Sequence, residues 1–276
     1  MNGSHLSNRS STLIWLAAAL VAVQTSAAAN PTAHAAEAAH SAGWEFSPYR
    51  IVVYVEFDAA PDWASDARGT FVSELESRTR SFIGGVWNLK AVEAPADLRW
   101  NSTADIARVA GDSVLAAALD ADKLMLVGVG QSIDGRRECR VREFDLRSES
   151  WGPVFASSQP SRVGLVDGLV AALWAAFRPL VRIEAMPGPG VVVARVRGGE
   201  LPIATPAHSL VREGLAIRPL IRHFDAKGRT LKNGVFPIDW TLLIVDSAGG
   251  AIARCHVATG IADPLDLKFD GRTEYL

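Results

Sequence analysis

The sequence predicts an α/β domain, with helices packed on a mixed sheet, followed by a small all-β domain of SH3-like barrel or sandwich type. Three observations carry this expectation. Between residues 49 and 177, apolar runs of period 2 alternate with runs of period 3.6. Met186-Pro187-Gly188-Pro189-Gly190 then reads as an extended, poorly packed linker. Beyond it come short apolar strands set off by glycine turns, with no long helical pattern.

The first domain is expected over 48–185. Tyr49–Phe57 is apolar on both faces, with Ile51, Val53, Val55 and Phe57 on one and Val52 and Tyr54 on the other. An interior strand requires this. A loop with Pro61 follows, and Asp66 is placed to cap a helix over 67–83. Phe71, Leu75 and Phe82 share a face of that helix, and Gly84-Gly85 stops it. Val86–Val92 is the second strand. Residues 103–119 read as partly helical, broken near Gly111. Lys123–Val129 and Glu138–Leu146 are strands around a hairpin turn at Asp134-Gly135, and Trp151–Ala156 is a fifth. The clearest helix covers 162–177, where Leu165, Leu169, Leu173 and Phe177 form one i,i+4 row and Val166, Val170 and Trp174 the next. Pro179 ends it, and Leu180–Glu184 adds a last strand.

The second domain is expected over 191–276. Its strands are Val191–Val196, Leu215–Phe224, Trp240–Val245 and Ala251–Val257, with one edge strand within 265–276. The turns fall at Gly198-Gly199, 225–228 and Gly249-Gly250.

The amino terminus has the layout of a secretory signal: Arg9, an apolar run from Leu13 to Val23, then small residues at Ala27-Ala28-Ala29 and Ala33-His34-Ala35. The apolar run is shorter than the roughly 20 residues that span a bilayer. Residues 1–35 are therefore read as a signal peptide and 36–47 as a disordered lead-in. After cleavage no membrane span is expected, and the protein is placed in the periplasm or outside the cell. The chain holds 28 basic and 30 acidic residues, a formal charge of −2. That balance argues against nucleic acid as a partner. Two cysteines, Cys139 and Cys255, read as two buried thiols, although export would permit a disulfide between them.

Asp122 to Val154 (DKLMLVGVGQSIDGRRECRVREFDLRSESWGPV) carries a family resemblance. An acidic residue precedes a strand ending in Val-Gly, and a hairpin returns to a strand ending in Phe-Asp-Leu-Arg. This resembles the amino-terminal domain of TolB and the related curli-secretion, penicillin-binding-protein-activator and flagellar T-ring proteins. The last of these also end in an SH3-like barrel. Where those families usually have Asp-x-x-Thr-Gly, this chain has Asp145-Leu146-Arg147-Ser148-Glu149, without the glycine. The resemblance implies a periplasmic scaffold or adaptor with an envelope-protein partner, and it transfers no site.

Chemistry-bearing motifs are sparse. Gly128-Val129-Gly130 follows a strand but leads into a hairpin, whereas a phosphate loop needs a helix amino terminus. His208, His223, Cys255 and His256 have no metal-ligand spacing, and Cys255 and His256 fall on opposite faces of a strand. No metal or cofactor is expected, and no catalytic residue is assigned. Asp58 and Asp62, at the end of the first strand, are candidates for acid–base chemistry or a cation, against the simpler reading of a solvated loop. Arg140 and Arg142 share a strand face and are candidates to grip an anionic ligand. Glu138, Glu143 and Asp145 beside them favour cross-strand ion pairs instead. Trp44, Trp63 and Trp100 fall in expected loops and are candidate exposed binding aromatics, whereas Trp87, Trp174 and Trp240 are expected in the core. The expected function is a non-catalytic envelope adaptor. A glycan- or small-ligand-binding module, or a hydrolase using Asp58 and Asp62, is the alternative. The oligomeric state is not encoded in any motif.

Overall fold

The computed structural model describes residues 43–58, 63–96, 98, 100, 103–111, 114, 120–161, 163–204, 209–261, 264–265 and 272–276. The expected signal peptide lies outside them. Part of the expected lead-in is ordered: Trp44–Phe46 forms a 3-10 turn, and Trp44 is buried.

The first sheet contains β1 (Tyr49–Phe57), β2 (Trp87–Glu93), β3 (Lys123–Gln131), β4 (Arg137–Asp145) and β5 (Ser150–Gln159), in the order β2-β1-β3-β4-β5. β1 runs parallel to β2 and β3, while β3, β4 and β5 are antiparallel, so the sheet is mixed as expected. Helix α1 (Ser65–Ile83) and helix α2 (Leu165–Ala176) bury Phe71, Leu75, Leu165, Leu169 and Leu173 against one face. That face presents Ile51, Val53, Val55, Met125, Val127 and Val141. Leu98, Trp100, Ile106 and Val114 cover the other face, against Leu124, Leu126 and Phe144. Burial on both faces explains why β1 and β3 read as nearly continuous apolar runs.

Helix α1 starts earlier than the sequence suggests. Ala64 occupies the N-cap without a side-chain bond, and Asp66 sits inside the first turn. Its carboxylate there still favours the positive end of the helix dipole.

The change of sheet falls at 177–180, ahead of the Pro/Gly stretch. β6 (Val181–Gly188) pairs antiparallel with β7 (Val191–Val196), so Met186–Gly190 forms a hairpin end and not an extended linker. Gly190, at φ +66, supplies the turn. β6 and β7 belong to a second sheet, ordered β6-β7-β12-β11-β8, with β8 (Ala216–Ile217), β11 (Thr241–Gly249) and β12 (Ile252–Thr259). A third sheet, β10-β9-β13, comprises β9 (Leu220–Phe224), β10 (Thr230–Pro237) and β13 (Thr273–Tyr275).

Among the described residues none of these sheets closes into a barrel. The single strand expected over 215–224 breaks in two: β8 pairs with β11, and β9 pairs with β10 and β13. Pro219 sits at the break. It has no N–H for a ladder, and its carbonyl accepts the N–H of Ile238 at 3.0 Å.

One continuous apolar core joins the first sheet to the second, running through Tyr49, Trp87, Phe177, Val181, Val192 and Val245. Both cysteines are free and buried in it. Burial pushes the Cys139 thiol up to about 12 and the Cys255 thiol to about 11, so neither is a ready thiolate.

Candidate functional site

Strand parity places charge inside the first sheet. Cys139, Val141, Glu143 and Asp145 alternate on the core face of β4, and Lys123 opens β3 directly opposite Asp145. The Lys123 ammonium is 0% exposed, as is the Glu143 side chain. Lys123 donates to Glu143 Oε1 at 3.1 Å and to Asp145 Oδ2. Its Nζ also lies 5.1 Å from the ring centre of Phe177 and 5.6 Å from that of Tyr49.

Arg178 closes the network from just past α2. Its backbone N–H donates to Glu143 Oε2 at 2.9 Å and its Nε to Oε1 at 3.2 Å. The two Nη groups donate to the carbonyls of Trp151 and Ser150. Asp145 Oδ1 accepts the N–H groups of Arg147 and Ser148, which fixes the turn into β5. Burial pushes the Glu143 carboxyl up, and Lys123 and Arg178 only partly offset it. For Asp145 burial also acts upward, but Lys123 and the Ser148 N–H outweigh it and hold the carboxyl below its ordinary range. Both carboxylates thus have each oxygen engaged.

A second charged cluster lies alongside, around Trp44. The guanidinium carbons of Arg147, Arg182 and Arg197 stand 4.7, 5.3 and 5.5 Å from its ring centre. Arg197 donates to Asp122 Oδ2 at 2.7 Å and to the Pro48 carbonyl at 3.0 Å. Burial raises the Asp122 carboxyl, but hydrogen bonds from Arg197 and Arg50 win and hold it at about 2. Arg222 donates to Glu274 at 2.5 Å, tying β9 to β13. The Tyr49 hydroxyl accepts the Leu180 N–H at 2.8 Å and so pins the entry into β6.

Where the first sheet meets the other two, a cleft of about 760 Å³ opens above Arg178. Trp151, Phe177 and Leu180 form one wall, and Ile217, Leu220 and Phe236 the other. Phe236 is 49% exposed at its mouth. The size and the mainly apolar lining with few polar groups are those of a binding pocket. Glu149 and Asn233, two of the three non-glycine residues with left-handed φ among the described residues, also line it.

The residues singled out from sequence sit elsewhere or are occupied. Asp58 follows the far end of β1, nine residues from Tyr49, and its N–H donates to the Val129 carbonyl. Asp62 lies outside the described residues, as does His208. Arg140 and Arg142 share a face as expected. Arg140 is held by Glu138 at 2.6 Å on its own strand, not across strands. Arg142 lies 4.2 Å over Trp151 and donates to the carbonyls of Gly152, Ile106 and Ala107. Glu143 and Asp145 serve Lys123 instead. His256 is exposed and bonded to Asp246 at 2.6 Å. No group of three or more potential metal ligands occurs among the described residues.

Four of the six tryptophans reverse their expected places, while Trp87 is buried and Trp174 packs against the core as expected. Trp44, Trp63 and Trp100 are buried at 4%, 3% and 5% exposure, whereas Trp240 is 83% exposed. The missed residues, Lys123, Glu143, Asp145 and Arg178, had one readable signal. Three of them sit in phase with the buried positions of their strands, where an unpaired charge is too costly to persist.

No helix among the described residues is long and apolar enough to cross a membrane. No protein-family model matches the chain, and no curated protein matches it. Among solved structures, a PelC dodecamer from Paraburkholderia phytofirmans aligns with a TM-score of 0.25 and 16% identity, covering 47% of this chain and 86% of that one. The hypothetical protein CT253 from Chlamydia trachomatis aligns with a TM-score of 0.24 and 15% identity, covering 41% of this chain and 72% of that one. At these TM-scores neither assigns a fold or a function to this chain.

Proposed function

We propose that this chain is an exported, non-catalytic adaptor of the cell envelope. In this reading it holds an apolar segment of a partner protein in the cleft between its sheets. The observation that carries the reading is the composition of that cleft: an apolar-walled space of about 760 Å³ in which Asp145 and Arg178 are already engaged by internal partners. A general acid or base needs a proton-accepting atom within reach of substrate. Of the two carboxylates that line the cleft, Asp145 is committed to Lys123 and to backbone N–H groups, and Glu149 is an exposed surface carboxylate. Apolar walls with a partly exposed aromatic at the rim suit a hydrophobic anchor residue. Export rests on the signal-like layout of residues 1–35. The TolB-like outline of Asp122–Val154 belongs to the same reading, in which the β-rich part is an SH3-like module opened into two sheets.

The test is a plug. Ala216 is exposed and lines the cleft, so Ala216→Trp fills it at little cost to stability. The tagged wild type and this variant are purified from envelope extracts of the native cells. A protein that co-purifies in defined stoichiometry with the wild type and is lost with the plugged variant, at unchanged melting temperature, supports the reading. Equal recovery of every co-purifying protein by both overturns it.

A further inference from the structure

We propose a second binding site, separate from the cleft, in which Trp240 serves as a stacking platform for a sugar ring of a neutral glycan. Trp240 immediately precedes β11 with φ +57, the left-handed region that costs a bulky residue about 1–2 kcal/mol. Its carbonyl accepts the Gly260 N–H at 3.1 Å, one step beyond the Thr241–Thr259 pair. The β11–β12 ladder thus holds the strained backbone in place and leaves the indole 83% exposed. A strained backbone displaying a large apolar ring to water is stable only where the surroundings over-determine it, and such outliers gather at ligand sites.

The surface beside the ring is shaped for a ligand of mixed polarity. A groove of about 410 Å³ runs along Trp240, bordered by Arg218, Thr259 and Gly260. A side chain added at Gly260 would meet nothing within 4 Å, so the floor next to the indole is open. Thr259 lines one side, its hydroxyl 3.2 Å from that of the buried Thr241. Arg218 donates to Asp239 at 3.3 Å on the other, and both side chains are exposed.

A pyranose ring has an apolar C–H face and a rim of hydroxyl groups. A flat indole suits the first. A planar guanidinium–carboxylate pair, offering donors and acceptors together, suits the second. The local charge argues against an anionic membrane surface, because Asp239 balances Arg218.

The experiment is calorimetric titration of the mature protein with three probes: maltohexaose, cellohexaose and chitohexaose. The expected result is saturable binding of at least one. Trp240→Ala weakens it at least about tenfold. Gly260→Leu, which fills the open floor without a left-handed φ to satisfy, does the same. The plugged cleft variant Ala216→Trp binds as the wild type, which separates this site from the adaptor reading. Failure of all three sugars to bind the wild type overturns the proposal, as does undiminished binding by Trp240→Ala. A blue shift of the tryptophan emission on adding phosphatidylcholine vesicles that Trp240→Ala abolishes, without any sugar response, overturns it in favour of a membrane contact.

Discussion

Trp44 and Trp240 are the same residue type in opposite circumstances. Trp44 lies in a stretch with no regular pattern ahead of β1, yet it is sealed by Arg147, Arg182 and Arg197 and by the return of the chain at Gly198, whose N–H donates to the Trp44 carbonyl at 3.0 Å. Trp240 precedes a well-patterned strand, yet it is open to water. Local pattern tells which face of an element is apolar. Only the tertiary arrangement tells whether anything covers it. The chain covers its amino-terminal tryptophan with segments about 100 to 150 residues away, and such coverage has no local signature.

Five variants break or sharpen this contrast. The largest effect is expected at the ionic floor between the two regions. Lys123→Ala leaves Glu143 and Asp145 buried with Arg178 as their main counter-charge. It should cost about 3–5 kcal/mol in urea unfolding. A loss below about 1 kcal/mol would show that water reaches these carboxylates. Trp44→Ala removes a buried ring together with its cation–π partners and should cost a similar amount, about 3–5 kcal/mol. The matching change Trp240→Ala should stay within about 0.5 kcal/mol. Equal losses at the two positions would erase the distinction between a sealed and an open tryptophan.

The fourth variant concerns pH. The Asp122 carboxyl ionises near 2 in the folded chain, against an ordinary 3.8. A depressed carboxylate contributes stability that is complete above the unfolded value and is lost as pH falls through the folded one. Asp122→Asn should therefore cost at least about 2 kcal/mol at neutral pH. The gap to the wild type should narrow as pH falls from 4 toward 2. A gap independent of pH would assign the loss to packing and not to charge. The last expected effect is a gain. Trp240→Gly relieves the left-handed backbone and should stabilise by up to about 1 kcal/mol, read as a higher melting temperature.

Much of the first sheet is legible in the sequence. β1, β2, β3 and β4, the Asp134-Gly135 turn and helix α2 lie within a few residues of where periodicity puts them. Gly135, at φ +82, makes the expected tight turn. The second half is less legible, because two short strands separated by Pro219 read as one long strand. β10 has no counterpart in the sequence pattern: Thr230–Pro237 carries Lys232, Asn233, Gly234 and Pro237, which break any alternation, and its register to β9 shifts accordingly.

The cleft is not legible at all. Its walls come from β5, the end of α2, the start of β6 and the β9–β10 pair, and no spacing in the sequence brings these together. The floor is half-legible. Glu143 and Asp145 are visibly in phase with Cys139 and Val141, but Arg178 reaches Glu143 from 35 residues away in sequence. Asp58 and Asp62 stand out through a rule about the carboxyl ends of parallel strands. In this fold the cleft opens near the opposite end of β1, where Tyr49 and Lys123 lie.

The central claim is that the cleft between the sheets holds a segment of a partner protein. The most direct measurement is in-cell photo-crosslinking from two single positions. One is Phe236, at the mouth of the cleft. The other is Val163, which is exposed and does not line it. The expected result is one dominant protein adduct from position 236, absent from position 163 and abolished by Ala216→Trp. No protein adduct from position 236, or the same adducts from both positions, would contradict the claim.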